Sequence, residues 1–159
     1  MPDKLKIGFI GCGGIARSLY TGIYAALPEL AQVVAVADLE DDLTENRRQA
    51  LKDAYRATAF SARGAADRAR AGEDRDAALR KAEAADSAAA CDIRKYRSHE
   101  ELLTDDELDV VCVLTPPTIR AMPIVAAAEA GKHVYSEGPF AKSVEEADAI
   151  VAAIKRAGV

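Results

Sequence analysis

Near the start of the chain lie six residues with the spacing G-x-G-x-x-A, which are Gly11, Cys12, Gly13, Gly14, Ile15 and Ala16. Gly11 permits a sharp turn, Gly13 leaves the backbone open to close approach, and Ala16 is small enough for a following helix to pack against a strand. The free N–H groups at the start of that helix, with its positive dipole end, attract a pyrophosphate. Glycine-rich turns also occur without a ligand, so this spacing needs a second signal.

A carboxylate provides that signal at the end of the next apolar segment, 32–37. Asp38 follows the turn by about 20 residues, where a dinucleotide-binding unit places the acid that accepts hydrogen bonds from the adenosine ribose. The two signals together predict a dinucleotide site. We expect NAD rather than NADP, because the Asp38 carboxylate would repel a 2′-phosphate and Leu39 carries no compensating charge. Arg47 or Arg48 would change this preference if either side chain reached the ribose.

The elements that must position these residues alternate between strand and helix. Apolar segments of strand length occur at residues 5–10, 32–37, 93–96, 109–114 and 132–136. A capping box at Ser98 starts one helix. Other helices are predicted at 14–26, 118–130 and 143–157. This alternation predicts an α/β fold with a doubly wound, Rossmann-like parallel sheet and right-handed crossovers, in which residues 1–159 form one dinucleotide-binding domain.

Residues 39–92 differ in composition from the rest of this domain and are interpreted as a helical insertion after the second strand. Between Ser61 and Ala90, thirteen of thirty residues are alanine, and the only large aliphatic residue is Leu79. Such a stretch favours helix by propensity but has almost nothing to bury.

Within the insertion, a first helix is predicted at 42–57, anchored by Leu51, Tyr55 and Phe60. Breaks are predicted at Gly64 and Gly72. The remainder is expected to be a protruding or partly disordered helical arm. Two interpretations of the arm stay open, a solvated segment without a ligand and a surface that binds a partner or a second copy of the chain.

Composition and charge argue against nucleic-acid-binding and membrane-spanning functions. The chain has 159 residues, 50% of them hydrophobic, which suits one domain with a core. Its net charge of -5 and pI near 5.1 argue against nucleic-acid binding, and no apolar segment approaches the roughly 20 residues that span a bilayer. No signal peptide is expected before the first strand. A reduced, cytoplasmic protein is indicated by three cysteines without metal-ligand spacing, which are Cys12, Cys91 and Cys112.

The order of these motifs resembles the N-terminal half of the Gfo/Idh/MocA family of nicotinamide-dependent oxidoreductases. The similarity covers nearly the whole chain outside the insertion. Its most specific part is a Gly131-Lys132-His133-Val134 strand followed by the turn Glu137-Gly138-Pro139, since few other Rossmann families pair these features. The other similar segments are 6–16, 34–38, 98–103 and 109–116.

The resemblance implies a dinucleotide lying across the carboxyl ends of the strands, with hydride passing between the nicotinamide and a hydroxyl-bearing carbon of a sugar or polyol. The glycine turn would hold the pyrophosphate and Asp38 the adenosine ribose. The middle of the cofactor would lie on Thr115 and Pro116, and the nicotinamide ribose near Glu137. The cofactor-binding residues predicted in this way are Gly11, Cys12, Gly13, Gly14, Ile15, Ala16, Asp38, Leu39, Thr115, Pro116 and Glu137.

Two departures from the family bear on catalysis. The family turn reads Glu-Lys-Pro, with a lysine that assists proton transfer, whereas this chain has Gly138 there and Lys142 as a distant substitute. The family's C-terminal substrate domain is absent from these 159 residues, which end where a sixth strand would begin. We therefore predict cofactor binding without turnover and assign no catalytic residue. The alternative is a non-catalytic nucleotide-binding or scaffold protein that uses the insertion for protein contacts.

Four further side chains have two interpretations each. Cys12, at a helix N-terminus, is either an activated thiol or, as preferred here, a small residue tolerated in the loop. Arg120 would face an anionic substrate or cap a surface. His99 and His133 are interpreted as structural or solvated, and no metal site is predicted. A second copy of the chain would associate through the insertion or through the sheet edge left open without a sixth strand.

Overall fold

Five strands form one parallel sheet in the computed structural model, which describes residues 4–159. The strands are β1 (Leu5–Ile10), β2 (Ala31–Ala37), β3 (Arg94–Tyr96), β4 (Val110–Val113) and β5 (His133–Ser136). Their order across the sheet is β3-β2-β1-β4-β5, and every neighbouring pair is parallel. The predicted Rossmann-like α/β fold is confirmed, with the strand order reversing between β1 and β4.

Helices cover both faces of the sheet. The first begins as a π-helical turn, Ala16–Tyr20, and a 3-10 turn, Pro117–Ile119, lies between β4 and the fifth helix. The α-helices are α1 (Thr21–Ala25), α2 (Asp41–Arg68), α3 (Glu73–Ala90), α4 (His99–Leu103), α5 (Ala121–Glu129) and α6 (Val144–Ala157).

Each face of the sheet has its own core, because successive strand residues point to opposite faces. The core under α1 and α2 includes Phe9, Val33, Tyr55, Ile93 and Cys112. The core under α4, α5 and α6 includes Leu102, Val111, Val113, Ile124 and Ile150. Burial of each large apolar side chain contributes about 1.5–3 kcal/mol, so the two cores hold the sheet between the helix layers.

Capping residues set two of the helix boundaries that the sequence predicts. Ser98 Oγ accepts the N–H of Glu101 at 3.2 Å, and the Glu101 carboxylate accepts the N–H of Arg97 at 2.9 Å. Ser143 caps α6 in the same way. Gly158 adopts a left-handed conformation with φ of 73° and ends α6.

The insertion is a helical hairpin, defined as residues 41–90, in which α3 packs back along α2. Its buried side chains recur at helical spacing. After Tyr55 they are alanines. They include Leu51, Tyr55, Ala59, Ala62 and Ala66 in α2, and Ala82, Ala85, Ala88 and Ala89 in α3. Small side chains let two helices approach closely and exclude water together. The expectation that residues 61–90 have almost nothing to bury is therefore wrong, since six of their alanines are buried.

Two further predictions about the hairpin are also wrong. Gly64 does not break the helix but lies inside α2. Phe60 does not anchor it, since its side chain is 82% exposed. Ala59 occupies the inward position, and the next residue along a helix is turned by about 100° from it. Gly72, with φ of 137°, does separate the two helices as predicted.

Strand β5 forms an edge of the sheet. It pairs with β4 on one side, and within residues 4–159 no strand lies on its other side. Among the same residues, no helix combines the length and the apolar character needed to cross a bilayer.

Candidate functional site

A cleft of about 730 Å³ opens at the carboxyl end of the sheet, beside the point where the strand order reverses. Loops from several strands meet there because all the strands run in one direction. Among the predicted cofactor-binding residues, those that line the cleft are Gly11, Gly13, Gly14, Ile15, Asp38, Leu39, Thr115, Pro116 and Glu137. Cys12 and Ala16 do not line it, since both side chains are fully buried beneath the turn.

The glycines of the turn differ in the space that a side chain would have at each position. Gly11 has φ of 96°, and a Cβ there would lie 2.9 Å from backbone atoms of Leu114 and Thr115. The sharp turn predicted at Gly11 is thus confirmed. A Cβ at Gly13 or Gly14 would meet no other described heavy atom within 4 Å. The bare backbone at these two positions leaves the start of the helix open to the cleft.

Asp38 braces the glycine turn. One carboxylate oxygen, Oδ2, accepts the N–H of Cys12 at 2.8 Å, and the other accepts the N–H of Glu40 at 3.1 Å. A carboxylate has about four lone-pair sites, so both oxygens keep capacity for a further donor. The sequence indicates only a ribose contact for Asp38, and the structure adds a role in holding the turn.

Cys12 has a protonated thiol. Its side chain is fully buried, and its Sγ lies 3.6 Å from the carbonyl oxygen of Ala37. Burial, reinforced by the charge of Asp38, raises the pKa of the Cys12 thiol to about 12. An activated thiolate is therefore not formed near neutral pH, which leaves the interpretation of Cys12 as a small loop residue.

The two arginines that would change the cofactor preference do not line the cleft. Arg47 is only 3% exposed and donates to the hydroxyl of Thr21 at 2.9 Å and to the carbonyl of Cys12 at 3.1 Å. Arg48 lies 3.5 Å from Asp92 and 3.6 Å from Glu45. Both side chains are therefore engaged in holding the fold.

Arg120 ties two loops of the cleft together. It is 3% exposed, and its guanidinium donates to the carbonyl of Thr115 at 2.8 Å and to those of Glu137 and Pro139 at 2.7 Å each. The Gly138–Pro139 bond is cis. Arg120 is not a surface cap, because its side chain is buried and its donors bind backbone carbonyls. It lines the cleft, and its contact with an anionic substrate stays a prediction.

Glu137 is held by a residue that the sequence does not single out. The hydroxyl of Tyr20 donates to Oε2 of Glu137, and the N–H of Gly138 donates to Oε1 at 3.1 Å. The Tyr20 ring packs edge-on against Tyr135, with ring centres 5.8 Å apart. The hydrogen bond from Tyr20 is the main cause that lowers the pKa of the Glu137 carboxyl.

Other cleft residues also lie outside the sequence-based set. They are Ile10, Ala37, Glu40, Leu43, Ser98, His99, Glu100, Leu114, Ile119, Arg120, Met122 and Pro123. Three of them could have been predicted, because residues 98–100 come one residue after β3, and parallel strands end at one edge of a sheet. His99, interpreted as structural or solvated, lines the cleft beside Glu100, with Nδ1 3.3 Å from the carboxylate.

Position 138 has room for a side chain. A Cβ at Gly138 would meet no other described heavy atom within 4 Å. Lys142 does not line the cleft, and its Nζ lies 3.3 Å from the carbonyl of Thr118 and 3.5 Å from Glu146. Within residues 4–159, no group of three or more His, Cys, Asp and Glu side chains is arranged to hold a metal ion.

One protein-family model matches the chain. The model GFO_IDH_MocA, described as "Oxidoreductase family, NAD-binding Rossmann fold", matches residues 75–159, more than half of the chain. A curated relative, the 1,5-anhydro-D-fructose reductase of Ensifer adhaerens, is 42% identical over 66 residues, which are 42% of this chain and 20% of that protein.

Solved structures show the same fold. The WlbA dehydrogenase of Bordetella pertussis, in complex with NADH and UDP-GlcNAcA, is 25% identical, with a TM-score of 0.64 over 99% of this chain and 34% of its own. The 3-ketoreductase KijD10 of Actinomadura kijaniata, in complex with NADP, is 20% identical, with a TM-score of 0.65 over 99% of this chain and 37% of its own. The chain thus spans about a third of the length of these structures.

Proposed function

The chain belongs to the Gfo/Idh/MocA family of oxidoreductases, and on that basis we propose that it binds NAD in the cleft at the carboxyl end of its sheet. The observation that carries the proposal is the meeting of the bare helix start at Gly13 and Gly14 with the Asp38 carboxylate in one cleft. The free N–H groups of the helix start suit a pyrophosphate, and the Asp38 carboxylate suits the hydroxyls of an adenosine ribose. The cleft volume of about 730 Å³ is in the range that small-molecule sites occupy.

A buried hydroxyl adds support for the cofactor. Thr115 Oγ1 is buried and has no hydrogen-bond partner among residues 4–159, although Thr115 itself lines the cleft. Buried polar groups normally have a partner, so a polar group of a bound cofactor would satisfy this one. Pro116 and Glu137 line the same wall, next to the middle of the cofactor and the nicotinamide ribose in this proposal.

The preference for NAD over NADP is based on the charges around Asp38. Glu40 adds a second carboxylate to that part of the cleft, whereas Arg47 and Arg48 are engaged elsewhere. A 2′-phosphate there would meet two negative charges and no cation from these arginines. Family relatives differ in this respect, since KijD10 is seen with NADP and WlbA with NADH.

With a substrate domain present, the nicotinamide would accept a hydride from a hydroxyl-bearing carbon of a sugar or polyol, or in the reverse direction would supply one to the corresponding carbonyl carbon. The names of the relatives, which include a 1,5-anhydro-D-fructose reductase, support that substrate class. Because the lysine of the family turn is Gly138 here, we expect residues 1–159 to bind the cofactor without dehydrogenase turnover.

A fluorescence titration with NADH tests the proposal. The chain is expected to bind NADH saturably and at least about 10-fold more tightly than NADPH. Asp38→Ala removes both the ribose acceptor and the brace of the turn, and is expected to weaken NADH binding about 10-fold or more. Asp53→Ala, which removes an exposed carboxylate from α2, is the matched control and should bind like the original chain. Absence of saturable binding by the original chain would refute the proposal.

A second candidate function is a nucleotide-binding or scaffold protein that meets its partner through the hairpin of residues 41–90. The exposed Phe60 on that hairpin and the glycine at position 138 both favour it. The association state of the chain in solution tests this candidate.

A further inference from the structure

We propose that Tyr20 is a positioning residue of the cofactor site, where its hydroxyl holds the Glu137 carboxylate at the wall of the cleft. The inference rests on the proposed function, since it assigns Glu137 to the nicotinamide ribose. Tyr20 is only 5% exposed and does not itself line the cleft. Any effect of Tyr20 on a ligand therefore passes through Glu137.

The π-helical turn Ala16–Tyr20 determines where the Tyr20 side chain points. The carbonyl of Ala16 accepts the N–H of Thr21, five residues later, and also the Thr21 hydroxyl at 2.7 Å. Arg47 donates to the same hydroxyl at 2.9 Å. One extra residue in a helical turn rotates the residues after it by about 100°, and such turns occur frequently at functional sites. The side chains of Thr21 and Arg47 thus support the turn that directs Tyr20 towards β5.

Tyr20 reaches Glu137 across 117 positions of sequence. Its hydroxyl donates to Oε2 of Glu137 and lies 3.2 Å from the hydroxyl of Tyr135. Oε1 accepts the N–H of Gly138, so each carboxylate oxygen has a donor. The carboxylate is consequently oriented from two sides, while its residue remains part of the cleft wall.

The charges around Glu137 favour its ionised form. Tyr20 from the first helix contacts the carboxylate itself, and the hydroxyl of Tyr135 from β5 lies 3.2 Å from the Tyr20 hydroxyl. Arg120, just before α5, donates to the backbone carbonyl of Glu137 at 2.7 Å. The hydrogen bond from Tyr20 is the main cause that lowers the pKa of Glu137, and the charge of Arg120 acts in the same direction. Burial and the carboxylate raise the pKa of Tyr20, so the phenol stays a neutral donor.

The test compares Tyr20→Phe with Tyr24→Phe by NADH titration. Both variants lose one hydroxyl from the same helix, but the Tyr24 hydroxyl contacts Cys112 Sγ at 2.8 Å and not Glu137. Tyr20→Phe is expected to raise the Kd for NADH about 3- to 10-fold, whereas Tyr24→Phe leaves it unchanged. In Tyr20→Phe the pKa of Glu137 rises, so binding should begin to fall at a higher pH as the solution is acidified.

A double-mutant cycle separates positioning from a general structural effect. In a chain that already carries Glu137→Ala, which removes both acceptor oxygens, adding Tyr20→Phe should change the Kd by less than about 2-fold. An equal loss in both backgrounds, or no loss in Tyr20→Phe alone, would overturn the inference. If the original chain itself does not bind NADH, the proposed function has failed, and that result is distinct from either outcome.

Discussion

Gly11 and Gly13 lie two residues apart, and a glycine is needed at each position for a different reason. At Gly11 the demand comes from the protein, because a positive φ and the backbone of Leu114 exclude a side chain. At Gly13 no described atom excludes a methyl group, so the demand would come from a ligand. Asp38 contributes both to the protein's own structure and to the cleft. Its carboxylate accepts the N–H of Cys12, which lies between the two glycines, and Asp38 also lines the cleft.

This contrast predicts opposite outcomes for two alanine substitutions. Gly11→Ala should lower the free energy of unfolding by about 2 kcal/mol or more, because the methyl meets backbone atoms at 2.9 Å in a left-handed conformation. Gly13→Ala should change stability by less than about 0.5 kcal/mol but weaken NADH binding about 10-fold. Urea denaturation and the NADH titration measure the two effects. Equal behaviour of the two variants would contradict the assignment.

At the scale of elements, two helical features depart from regular patterns and have different consequences. The π-helical turn Ala16–Tyr20 directs the Tyr20 side chain towards Glu137. The hairpin of α2 and α3 instead uses alanine where most helix pairs use larger side chains, and Arg63 forms an ion pair with Asp86 across it. Exposed pairs of this kind contribute little, so the alanine contact should dominate the stability of the hairpin.

A larger side chain in the hairpin interface should therefore be destabilising. Ala85 is fully buried, and Ala85→Leu is expected to cost about 1–3 kcal/mol by overpacking. Ala77→Leu places the same side chain at an exposed position of α3 and should be nearly neutral. Thermal melting compares the two, and NADH affinity should be retained in both because α3 does not line the cleft. A neutral Ala85→Leu would mean that the two helices do not pack through their alanines.

For the whole molecule, the sheet and its two helix layers leave some surfaces without a partner among residues 4–159. The outer edge of β5 is one such surface, and the side of the hairpin that carries Phe60 is another. Phe60 is 82% exposed and Leu79 40%, in a hairpin whose other exposed residues are mostly charged or small. These are the two places where the sequence predicts association of a second copy.

The scaffold candidate predicts that the chain self-associates through the hairpin. Light scattering over a range of concentrations should then show a larger mass that falls to that of a monomer in the Phe60→Ser, Leu79→Ser double variant. Leu30→Ser, which removes a 64% exposed leucine from the loop before β2, is the control and should leave the mass unchanged. If the original chain is monomeric throughout, self-association through the hairpin is ruled out, and the open β5 edge is no longer needed to explain any assembly.

Features that depend on neighbouring residues along the chain could be predicted before the fold was known. Local patterns and the alternation of strands with helices predict the strand positions, the turn at Gly11, the cap at Ser98 and a parallel sheet. The convergence of Asp38, Thr115 and Glu137 at one edge was also predictable, because parallel strands end together.

Contacts between groups that are distant in sequence could be identified only in the folded chain. Arg47 contacts Cys12 from 35 positions away, Arg120 contacts Glu137 from 17, and Tyr20 contacts Glu137 from 117. The inward turn of Ala59 rather than Phe60 likewise depends on the rotational phase of α2 against its neighbours. Such pairings depend on how helices rotate and pack in three dimensions, and no spacing along a single chain encodes them.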